Sequence, residues 1–598
     1  MFVKLTPKAT AVSPAATPTA AAPTASRYHR LQDDEETIDD NETTTAQPQP
    51  GSTSFSAAVY GVVFKSEPPI RSSTGIHRAI PKLDEVEYGI QMHQPSVQTA
   101  TTWRSHRQRW PGILLCGFVC LLAVVSITVG AHNAHTASVQ RRDKVQRAIA
   151  LEKCIASGQD CRTLRDDDGV VNNPKVYPSM GCELPNYQSK NGKLWAVSNN
   201  GTRVPLAVKG VNWFGMETGQ QVPFGLWDND QNGTTVYAIA DFLSLNNFNS
   251  VRIPLCVQNI LANSPIQNSL INSASNRALD LSSYLALLRT VVQALGYRSI
   301  SVMISMHTLN IMNSDGSLWY GKTTTVDDFL KAIDMVTGAL CSDAYWNVLG
   351  LDVKNEPFEG TWGSGFPNDF KLGAELIANR MLKGCPKWVA FVEGVNQQNT
   401  IVLDGQEYGY YDWFGGGLHN ARQYPVQLAT PNKLVYAPHY YTPAVFPQYY
   451  LFGGGTVGAG NAIIDFVELS DDALSSRIMH TMNDMFGFLN DHKGPAVLLG
   501  EFAGLYTTDA HPMKTTQRCT DFTIQRIVQD GYAGGYMWSL NPESAYQYNP
   551  ADTTGNFVEG LLELDWRTAN MPFLNAMKGL DAMPDLKPAP CFPITLSS

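Results

Sequence analysis

Short apolar runs alternate with longer helical stretches from residue 186 to the carboxyl terminus of this chain. The short runs predict strands, and the longer stretches predict the helices that connect them. Eight such units favour a closed (β/α)8 TIM barrel over a doubly wound sheet, because no glycine-rich phosphate loop follows the first strand. The predicted strands are Ala207–Asn212, Ser250–Pro254, Ser299–Met306, Val348–Asn355, Trp388–Glu393, Lys433–His439, Ala496–Glu501 and Gly534–Ser539.

Helical stretches fill most of the intervals between these strands. Ahead of the first strand, Leu194–Leu206 predicts a hairpin, because Asn200-Gly201 in its middle is a turn signal. The predicted helices are Thr235–Leu245, Leu281–Leu295, Asp327–Leu340, Phe370–Leu382, Asp471–Asn490 and Thr515–Gln529.

A separate apolar run without any charged residue extends from Ile113 to Ala131. Its length is close to what a helix needs to cross a bilayer, and it has no polar face of the kind that a buried core helix shows. A cleaved signal peptide is the competing interpretation, but the run begins far from Met1. We therefore predict a single transmembrane helix, a signal anchor, at residues 111–131.

Basic residues lie on both sides of this predicted span. Arg104, Arg107 and Arg109 immediately precede it, whereas the basic residues on the other side begin only at Arg141. The nearer positive charge favours a cytoplasmic amino terminus. The expected location is therefore the plasma membrane, with a single-pass topology and the barrel outside the cell.

The remaining segments complete a four-part organisation. Residues 1–110 are rich in Ala, Thr and Pro with little apolar periodicity, which predicts a disordered cytoplasmic tail. Residues 132–185 predict a stalk, with a short basic helix at Val139–Leu151 and several prolines after it. Residues 186–598 form the predicted barrel.

Eight of the ten cysteines lie beyond the apolar run, and an even number in an exported domain indicates disulfides. The sequence does not select one pairing. Proximity suggests Cys154 with Cys161, and Cys341 with Cys385 is a second suggestion. The sequons that begin at Asn200 and Asn232 lie on the same side of the span, where glycosylation would be possible.

Composition narrows the class of partner. The net charge of -10 provides no basic surface for phosphates, so nucleic acid is not an expected partner. The chain has 12 Trp and 24 Tyr. Flat aromatic rings can stack on sugar rings, although large aromatic side chains are usually buried in the core.

Polar residues stand at the carboxyl end of every predicted strand, which is the end where barrel enzymes carry their sites. Two of these residues are glutamates, Glu356 in Leu351–Pro357 and Glu501 in Ala496–Phe502. Hydrolysis of a glycosidic bond requires two carboxyls, one to protonate the leaving oxygen and one to attack or stabilise the anomeric carbon. The other strand-end residues are Asn212, Trp213, Arg252, His307, Asn355, Glu393, His439, Tyr441 and Trp538.

The order of these motifs resembles glycoside hydrolase family five, the cellulase family of clan A. Further motifs, such as Phe391–Val395 and Asn541–Ser544, resemble its branch of bacterial-type endo-β-1,4-glucanases. The motifs that carry the resemblance are Arg252-Ile253-Pro254, His307, Asn355-Glu356-Pro357, His439-Tyr440-Tyr441, Gly500-Glu501-Phe502 and Trp538.

The resemblance implies a retaining hydrolase with Glu356 as general acid and base and Glu501 as nucleophile. It also implies that Arg252 keeps Glu501 ionised by lowering its pKa. The other supporting residues implied are Asn355, which would bind the sugar 2-hydroxyl, Tyr441, which would face the nucleophile, and His439, which would lie near the acid. His307 and Trp538 would contact the sugar beside the scissile bond, and neighbouring subsites are suggested at Trp213, Trp413 and Gln448.

Some positions depart from the family pattern or have a lesser role in it. Ser305 stands two residues before His307 where the family often has Asp, and Tyr440 stands between His439 and Tyr441 where it often has Asp. The position of Glu393 is a supporting one in the family. No metal or organic cofactor is implied, and the expected partners are a β-glucan polysaccharide and the membrane.

Three hypotheses on function follow. The favoured one is a membrane-anchored endo-β-1,4-glucanase, with β-1,3-glucan, mannan or xyloglucan as alternative substrates, since loops decide the linkage. A carbohydrate-binding barrel without catalysis is the second, and the presence of both Glu356 and Glu501 argues against it. In the third, the tail is the working part and the barrel is an exterior sensor.

Overall fold

The predicted TIM barrel is present in the structure, a computed structural model that describes residues 110–157, 174–229 and 231–594. All eight predicted strands form, with ends shifted by a few residues at most. They are β1 (Val208–Asn212), β2 (Ser250–Cys256), β3 (Ser301–Thr308), β4 (Val348–Asp352), β5 (Val389–Val392), β6 (Leu434–Tyr436 and His439–Tyr441), β7 (Ala496–Val497 and Leu499–Ala503) and β8 (Gly534–Met537).

The strands close into one parallel ring in sequence order, from β1 round to β8 and back to β1. Both β6 and β7 are interrupted, and their halves pair separately: Leu434–Tyr436 with Ala496–Val497, and His439–Tyr441 with Leu499–Ala503. Pro438 lies in the first interruption and has no N–H to donate. Its carbonyl accepts the Gly500 N–H at 2.9 Å, which carries the pairing across the break.

Helices surround the ring and pack apolar faces on it. Five of them begin with a side-chain cap, from Thr235, Ser283, Thr325, Asp369 and Ser470, which satisfies backbone N–H groups of the first turn. Between β5 and β6 an antiparallel hairpin, Gln398–Leu403 with Gln406–Tyr411, occupies the place of the barrel helix. The helices are Val236–Leu245, Val257–Ala262, Tyr284–Tyr297, Val326–Leu340, Phe370–Gly384, Asp471–Met485, Thr515–Gln529 and Met571–Met577, with short 3-10 turns at Asn268–Leu270, Asp343–Tyr345, Tyr449–Leu451, Ala459–Asn461, Gly487–Leu489 and Lys578–Ala582.

A three-stranded antiparallel sheet covers the amino-terminal ends of the barrel strands. It consists of the predicted hairpin, Lys193–Val197 with Arg203–Leu206, and of a third strand, Asn186–Lys190, which was not predicted from the sequence. The Tyr187 N–H donates to the carbonyl just ahead of β5, and the Ser189 hydroxyl accepts the first N–H of β7. The opposite, carboxyl-terminal end is therefore left for a site. Further antiparallel pairs are Phe452–Val457 with Ile463–Glu468, Ala545–Tyr548 with Thr554–Val558, and Cys182–Glu183 with Phe592–Pro593.

Two disulfides are present among the described residues. Cys341–Cys385 confirms the predicted pair, and it joins two neighbouring helices because each cysteine directly follows the last helical residue. Cys182–Cys591 was not predicted, and it joins the beginning of the barrel unit to its end. Cys256 and Cys519 are buried thiols. Cys161 of the predicted Cys154–Cys161 pair lies outside the described residues.

The amino-terminal part of the described chain forms one continuous helix, Trp110–Ser157. Leu114–Thr136 within it is long and apolar enough to cross a membrane. The sequence predicts the 111–131 span and the basic helix at Val139–Leu151 as two separate elements. In the structure they are parts of one helix, which ends at Ser157 within the predicted stalk. At 1.5 Å per residue, its 48 residues extend about 72 Å.

Candidate active site

Four strands, or the loops that follow them, bring polar side chains together at the carboxyl-terminal end of the barrel. Arg252 comes from β2, Glu356 from the loop after β4, His439 and Tyr441 from β6, and Glu501 from β7. Strand alternation places His439 and Tyr441 on one face and turns Tyr440 to the other. Carboxylate oxygens of Glu356 and Glu501 and a ring nitrogen of His439 all lie within 4.8 Å of one another. Two glutamates that are far apart in the sequence therefore face each other.

Glu356 is held by contacts on both its backbone and its side chain. Its φ of 45° lies in the left-handed region, which is unfavourable for a residue with a side chain. The Glu356 N–H donates to Oε2 of Glu393 at 2.7 Å. Its own Oε1 lies 3.2 Å from Nδ1 of His439. The carboxyl is buried, with 6% of the residue exposed.

Glu501 is surrounded by donors. Arg252 Nη1 donates to Oε1, the Tyr441 hydroxyl donates to Oε2, and Nδ1 of His439 lies 3.7 Å from Oε2. Burial raises the pKa of Glu501, while His439, Arg252 and the Tyr441 hydroxyl lower it. The net pKa is raised. The predicted contact with Arg252 is present, and its positive charge lowers the pKa of Glu501 as expected, although burial outweighs that effect.

Arg252 links the polar groups of four other strands. It is fully buried, and its guanidinium donates to Asn212 at 2.9 Å and to Asn355 at 2.7 Å. The same group also donates to Asp352 at 2.6 Å and to Glu393 at 3.2 Å. A rigid guanidinium with several acceptors fixes these strand ends relative to one another.

His439 and Glu393 form a second buried ionic pair behind the two glutamates. Nε2 of His439 lies 3.1 Å from Oε1 of Glu393. Burial alone lowers the pKa of His439, but Glu393 and Glu501 outweigh it, and the pKa lies well above its usual range. Burial and the nearby Asp352 raise the pKa of Glu393, whereas His439 and Arg252 lower it. His439 is the positively charged member of this pair at neutral pH.

His307 and Trp538 form one wall of the site. Their rings are parallel within 12° at a centroid distance of 6.1 Å, and Phe214 stacks on Trp538 at 5.5 Å. Burial and the positive charge of Arg252 hold the pKa of His307 well below its usual range, so its ring is neutral. Nδ1 of His307 lies 3.5 Å from the Ser305 hydroxyl, which replaces the carboxylate expected from the family pattern.

Tyr440, the second departure from the family pattern, does not face the site. It is buried on the outer side of β6, where its hydroxyl lies 2.8 Å from that of Thr481. Its substitution for Asp therefore removes no direct contact with His439. Glu393 supplies a carboxylate to that histidine from the neighbouring strand.

The three residues suggested for neighbouring subsites are buried in the walls. Trp213 is fully buried and its indole N–H donates to the Phe224 carbonyl at 3.0 Å. Trp413 packs edge-on against both Tyr440 and Tyr441. Gln448 is buried and donates to the Tyr411 carbonyl at 2.8 Å. These placements favour support of the walls over stacking on a sugar face.

Several groups near the site were not assigned from the sequence. Asp352 contacts Arg252, and Lys354 donates to the His307 carbonyl at 3.2 Å. Burial lowers the pKa of this lysine to about 8. Phe358 and Phe414 are half-buried and stack at 4.8 Å, just after Glu356 and Trp413 in the chain. Proximity to Glu356 in sequence was the signal that could have indicated Asp352, Lys354 and Phe358.

A metal is an alternative use of the same donor atoms. Glu356, His439 and Glu501 offer two oxygens and one nitrogen at a spacing that could hold a cation. However, Arg252 and Tyr441 already occupy the oxygens of Glu501 as donors. These two donors compete with a cation for the lone pairs of Glu501.

Two opposed carboxyls about 5 Å apart at the rim of a TIM barrel are typical of glycoside hydrolases that retain anomeric configuration. The family model of cellulase, glycosyl hydrolase family 5, matches residues 199–544. The chain belongs to this family of O-glycosyl hydrolases.

Relatives and solved structures agree with the family. The chain is 28% identical over 371 residues to an endoglucanase of Paenibacillus polymyxa, covering 61% of this chain and 80% of that one. It is 29% identical over 395 residues to the major extracellular endoglucanase of Xanthomonas campestris, covering 66% and 71%. An endocellulase of Pyrococcus horikoshii in complex with cellotetraose superposes with a TM-score of 0.54 at 27% identity, covering 68% of this chain and all of that one.

Proposed function

We propose that this chain is a membrane-anchored, retaining endo-β-1,4-glucanase that uses Glu356 as general acid and base and Glu501 as nucleophile. The observation that supports it most is the approach of the two carboxyls to within 4.8 Å, with Glu356 held by Glu393 and His439 and Glu501 held mainly by Arg252 and Tyr441. That spacing leaves room for one anomeric carbon and none for an intervening water, as a double displacement requires.

In the first step, Glu356 donates its proton to the glycosidic oxygen and Glu501 attacks the anomeric carbon. The bond to the leaving sugar breaks as the bond to a Glu501 oxygen forms. In the second step, Glu356 takes a proton from water, and the resulting hydroxide displaces Glu501. Both glutamates return to their starting states, so the cycle consumes only water.

The supporting residues prepare each carboxyl for its role. Arg252 and Tyr441 donate to Glu501, which keeps it oriented and favours its ionised form against the effect of burial. His439 contacts Glu356 through Nδ1, and this hydrogen bond can adjust when Glu356 gains or loses its proton. Asn355, His307 and Trp538 would bind the sugar beside the scissile bond, with the neutral His307 available to accept or donate to a hydroxyl.

The proposal of β-1,4-glucan as substrate rests on the relatives. The relatives from Paenibacillus and Xanthomonas are endoglucanases, and the Pyrococcus structure contains cellotetraose, a β-glucan fragment. Other β-glycans, namely β-1,3-glucan, mannan and xyloglucan, are the alternative substrates. A barrel that binds glycan without cleaving it is the alternative function.

The proposed location is the plasma membrane, with the amino terminus in the cytoplasm and the barrel outside. Leu114–Thr136 supports a single crossing, and the arginines ahead of it support the orientation. Disulfides at Cys182–Cys591 and Cys341–Cys385 fit an oxidising compartment.

The test measures release of reducing ends from carboxymethyl-cellulose, β-1,3-glucan, mannan and xyloglucan by detergent-solubilised full-length protein. We expect rapid cleavage of carboxymethyl-cellulose and near-complete loss with Glu356→Gln or Glu501→Ala. Glu543→Gln is the matched control, since Oε1 of this glutamate accepts the Trp566 N–H at 2.7 Å, which an amide oxygen can also do.

The outcomes separate the alternatives. Faster cleavage of another glycan would replace the proposed substrate and leave the roles of the glutamates intact. Binding of glycan without any cleavage would favour the non-catalytic barrel. Wild-type turnover in either glutamate variant would contradict the assigned roles.

A further inference from the structure

Glu393, at the end of β5, contacts three members of the proposed catalytic cluster with one carboxylate. It is fully buried. Its partners are the backbone N–H of Glu356, the ring of His439 and the guanidinium of Arg252. The inference below rests on the proposed function, because it concerns how that cluster is held and charged.

The first contact, with the backbone N–H of Glu356, fixes the position of this proposed acid and base. Glu356 has a left-handed backbone, a conformation that L residues with side chains rarely adopt without support. Pro357 follows it directly and has no N–H of its own to offer. Oε2 of Glu393 accepts the Glu356 N–H at 2.7 Å. This bond anchors the peptide at the point where the chain turns Glu356 toward Glu501.

The second contact sets the charge of His439. One ring nitrogen lies 3.1 Å from Glu393, while the other lies 3.2 Å from Glu356 and 3.7 Å from Glu501. A carboxylate on the far side of the ring favours the doubly protonated imidazolium. The positive ring then faces Glu501, whose ionised form it stabilises.

Other charged groups also act on the pair of Glu393 and His439, and their effects on its charge oppose one another. Asp352 from β4 adds negative charge, whereas Arg252 from β2 and Lys354 from the loop after β4 add positive charge. These groups remain when Glu393 is changed. The effect of Glu393 can therefore be isolated by removing its charge alone.

A glycine turn closes the pair off from solvent. A Cβ on Gly415 would lie only 2.4 Å from Oε2 of Glu393 and 3.1 Å from Cγ of His439, and its φ is also positive. The Gly394 N–H donates to the Gly415 carbonyl at 2.7 Å, which ties the turn to the end of β5. Glycine at 415 thus permits backbone to pack directly on the carboxylate and the imidazole.

We propose that Glu393 is a positioning residue of the hydrolase, which holds Glu356 in its left-handed conformation and keeps His439 positively charged toward the nucleophile Glu501. It touches neither substrate nor the reacting atoms. Its influence passes through the peptide of Glu356 and through the ring of His439.

The test is Glu393→Gln in the full-length protein, with kcat and KM on carboxymethyl-cellulose measured across pH. Misplacement of a catalytic group by about 1 Å can cost about 100-fold, so we expect kcat to fall by about 10- to 100-fold with KM changed much less. Loss of the positive charge on His439 raises the pKa of Glu501. The acidic limb of kcat/KM should therefore move to higher pH, by about one unit. Glu393→Asp, which keeps the charge, should restore that limb.

Asp509→Asn provides the matched control. Asp509 is also a buried carboxylate paired with a histidine, at 2.7 Å from His511, but it contacts no residue of the proposed site. Its loss should lower the melting temperature and leave the pH profile of activity in place. A Glu393→Gln variant that behaves in the same way would show a merely structural role and overturn the inference.

A double-mutant cycle tests the route through the ring. If Glu393 acts through His439, adding Glu393→Gln to His439→Gln should cost less than Glu393→Gln costs alone. If the effects of the two substitutions add in full, Glu393 does not act through His439, and that part of the inference is overturned. If Glu356→Gln and Glu501→Ala abolish activity while Glu393→Gln leaves kcat and the acidic limb unchanged, this inference fails and the proposed function stands.

Discussion

Tyr441→Phe is the most direct test of how Glu501 is kept ready for attack. The change removes one hydroxyl from a buried side chain and preserves the ring that packs against Trp413. The lost hydroxyl donates to Oε2 of Glu501. A hydrogen bond to a charged group contributes about 1.5–3 kcal/mol, and one pKa unit corresponds to about 1.4 kcal/mol.

The expected result follows from the sign of that interaction. Donation to the ionised carboxylate lowers its pKa, so removal should raise the pKa of Glu501 by about one to two units. The acidic limb of kcat/KM should move to higher pH by the same amount, because Glu501 must be ionised to attack. Activity at the optimum should fall by about tenfold as the carboxylate loses one of its two fixed donors.

The assay is the pH profile of kcat/KM for the wild type and the variant on a soluble glucan, with thermal unfolding measured in the same buffers. Tyr436→Phe is the matched control, since this buried tyrosine on β6 belongs to the half of the strand away from the site. An acidic limb that moves by less than about 0.3 unit in Tyr441→Phe would refute the reasoning.

Two further predictions concern stability and metals. Replacing both Cys341 and Cys385 with Ser opens a crosslink between residues 44 apart, and loop-closure entropy predicts a loss of about 4 kcal/mol in the free energy of unfolding. Denaturant titration measures it, with Cys519→Ala as the control for a buried thiol outside any disulfide, and an unchanged midpoint would contradict it. EDTA should leave hydrolysis unaffected, because the proposed steps move only protons and a glycosyl group. Inhibition by EDTA that Mn²⁺ or Zn²⁺ reverses would instead place a metal on Glu356, His439 and Glu501.

The barrel itself could be predicted from the sequence because its strands are short apolar runs between clear turn signals. The register of β6 and β7 could not be predicted in this way. Their interruptions near Pro438 and Leu498 depend on how two neighbouring strands share hydrogen bonds, which no single run of residues reveals. The hairpin that replaces a helix after β5 was equally hidden, since only its pairing partners distinguish it from a loop.

For the candidate site, too, some features could be predicted from the sequence and others could not. Strand-end position was enough to bring Glu356 and Glu501 to one rim, although their catalytic roles stay predictions. The net pKa of Glu501 required the structure, because burial and positive charge act in opposite directions and sequence shows neither magnitude. Trp213 shows the same limit: a tryptophan at a strand end can face a cleft or fill a wall, and it fills a wall.

The Cys182–Cys591 bond has a mechanical consequence for the proposed amino-terminal anchor. The bond closes 409 positions of chain into a covalent ring that contains every barrel strand. A pull on Cys182 from its amino-terminal side is shared with Cys591, so the first strand cannot be drawn out without also loading the last part of the barrel unit. If the proposed anchor held this domain while a glucan occupied its cleft, the load would enter the fold at two covalently joined points instead of one.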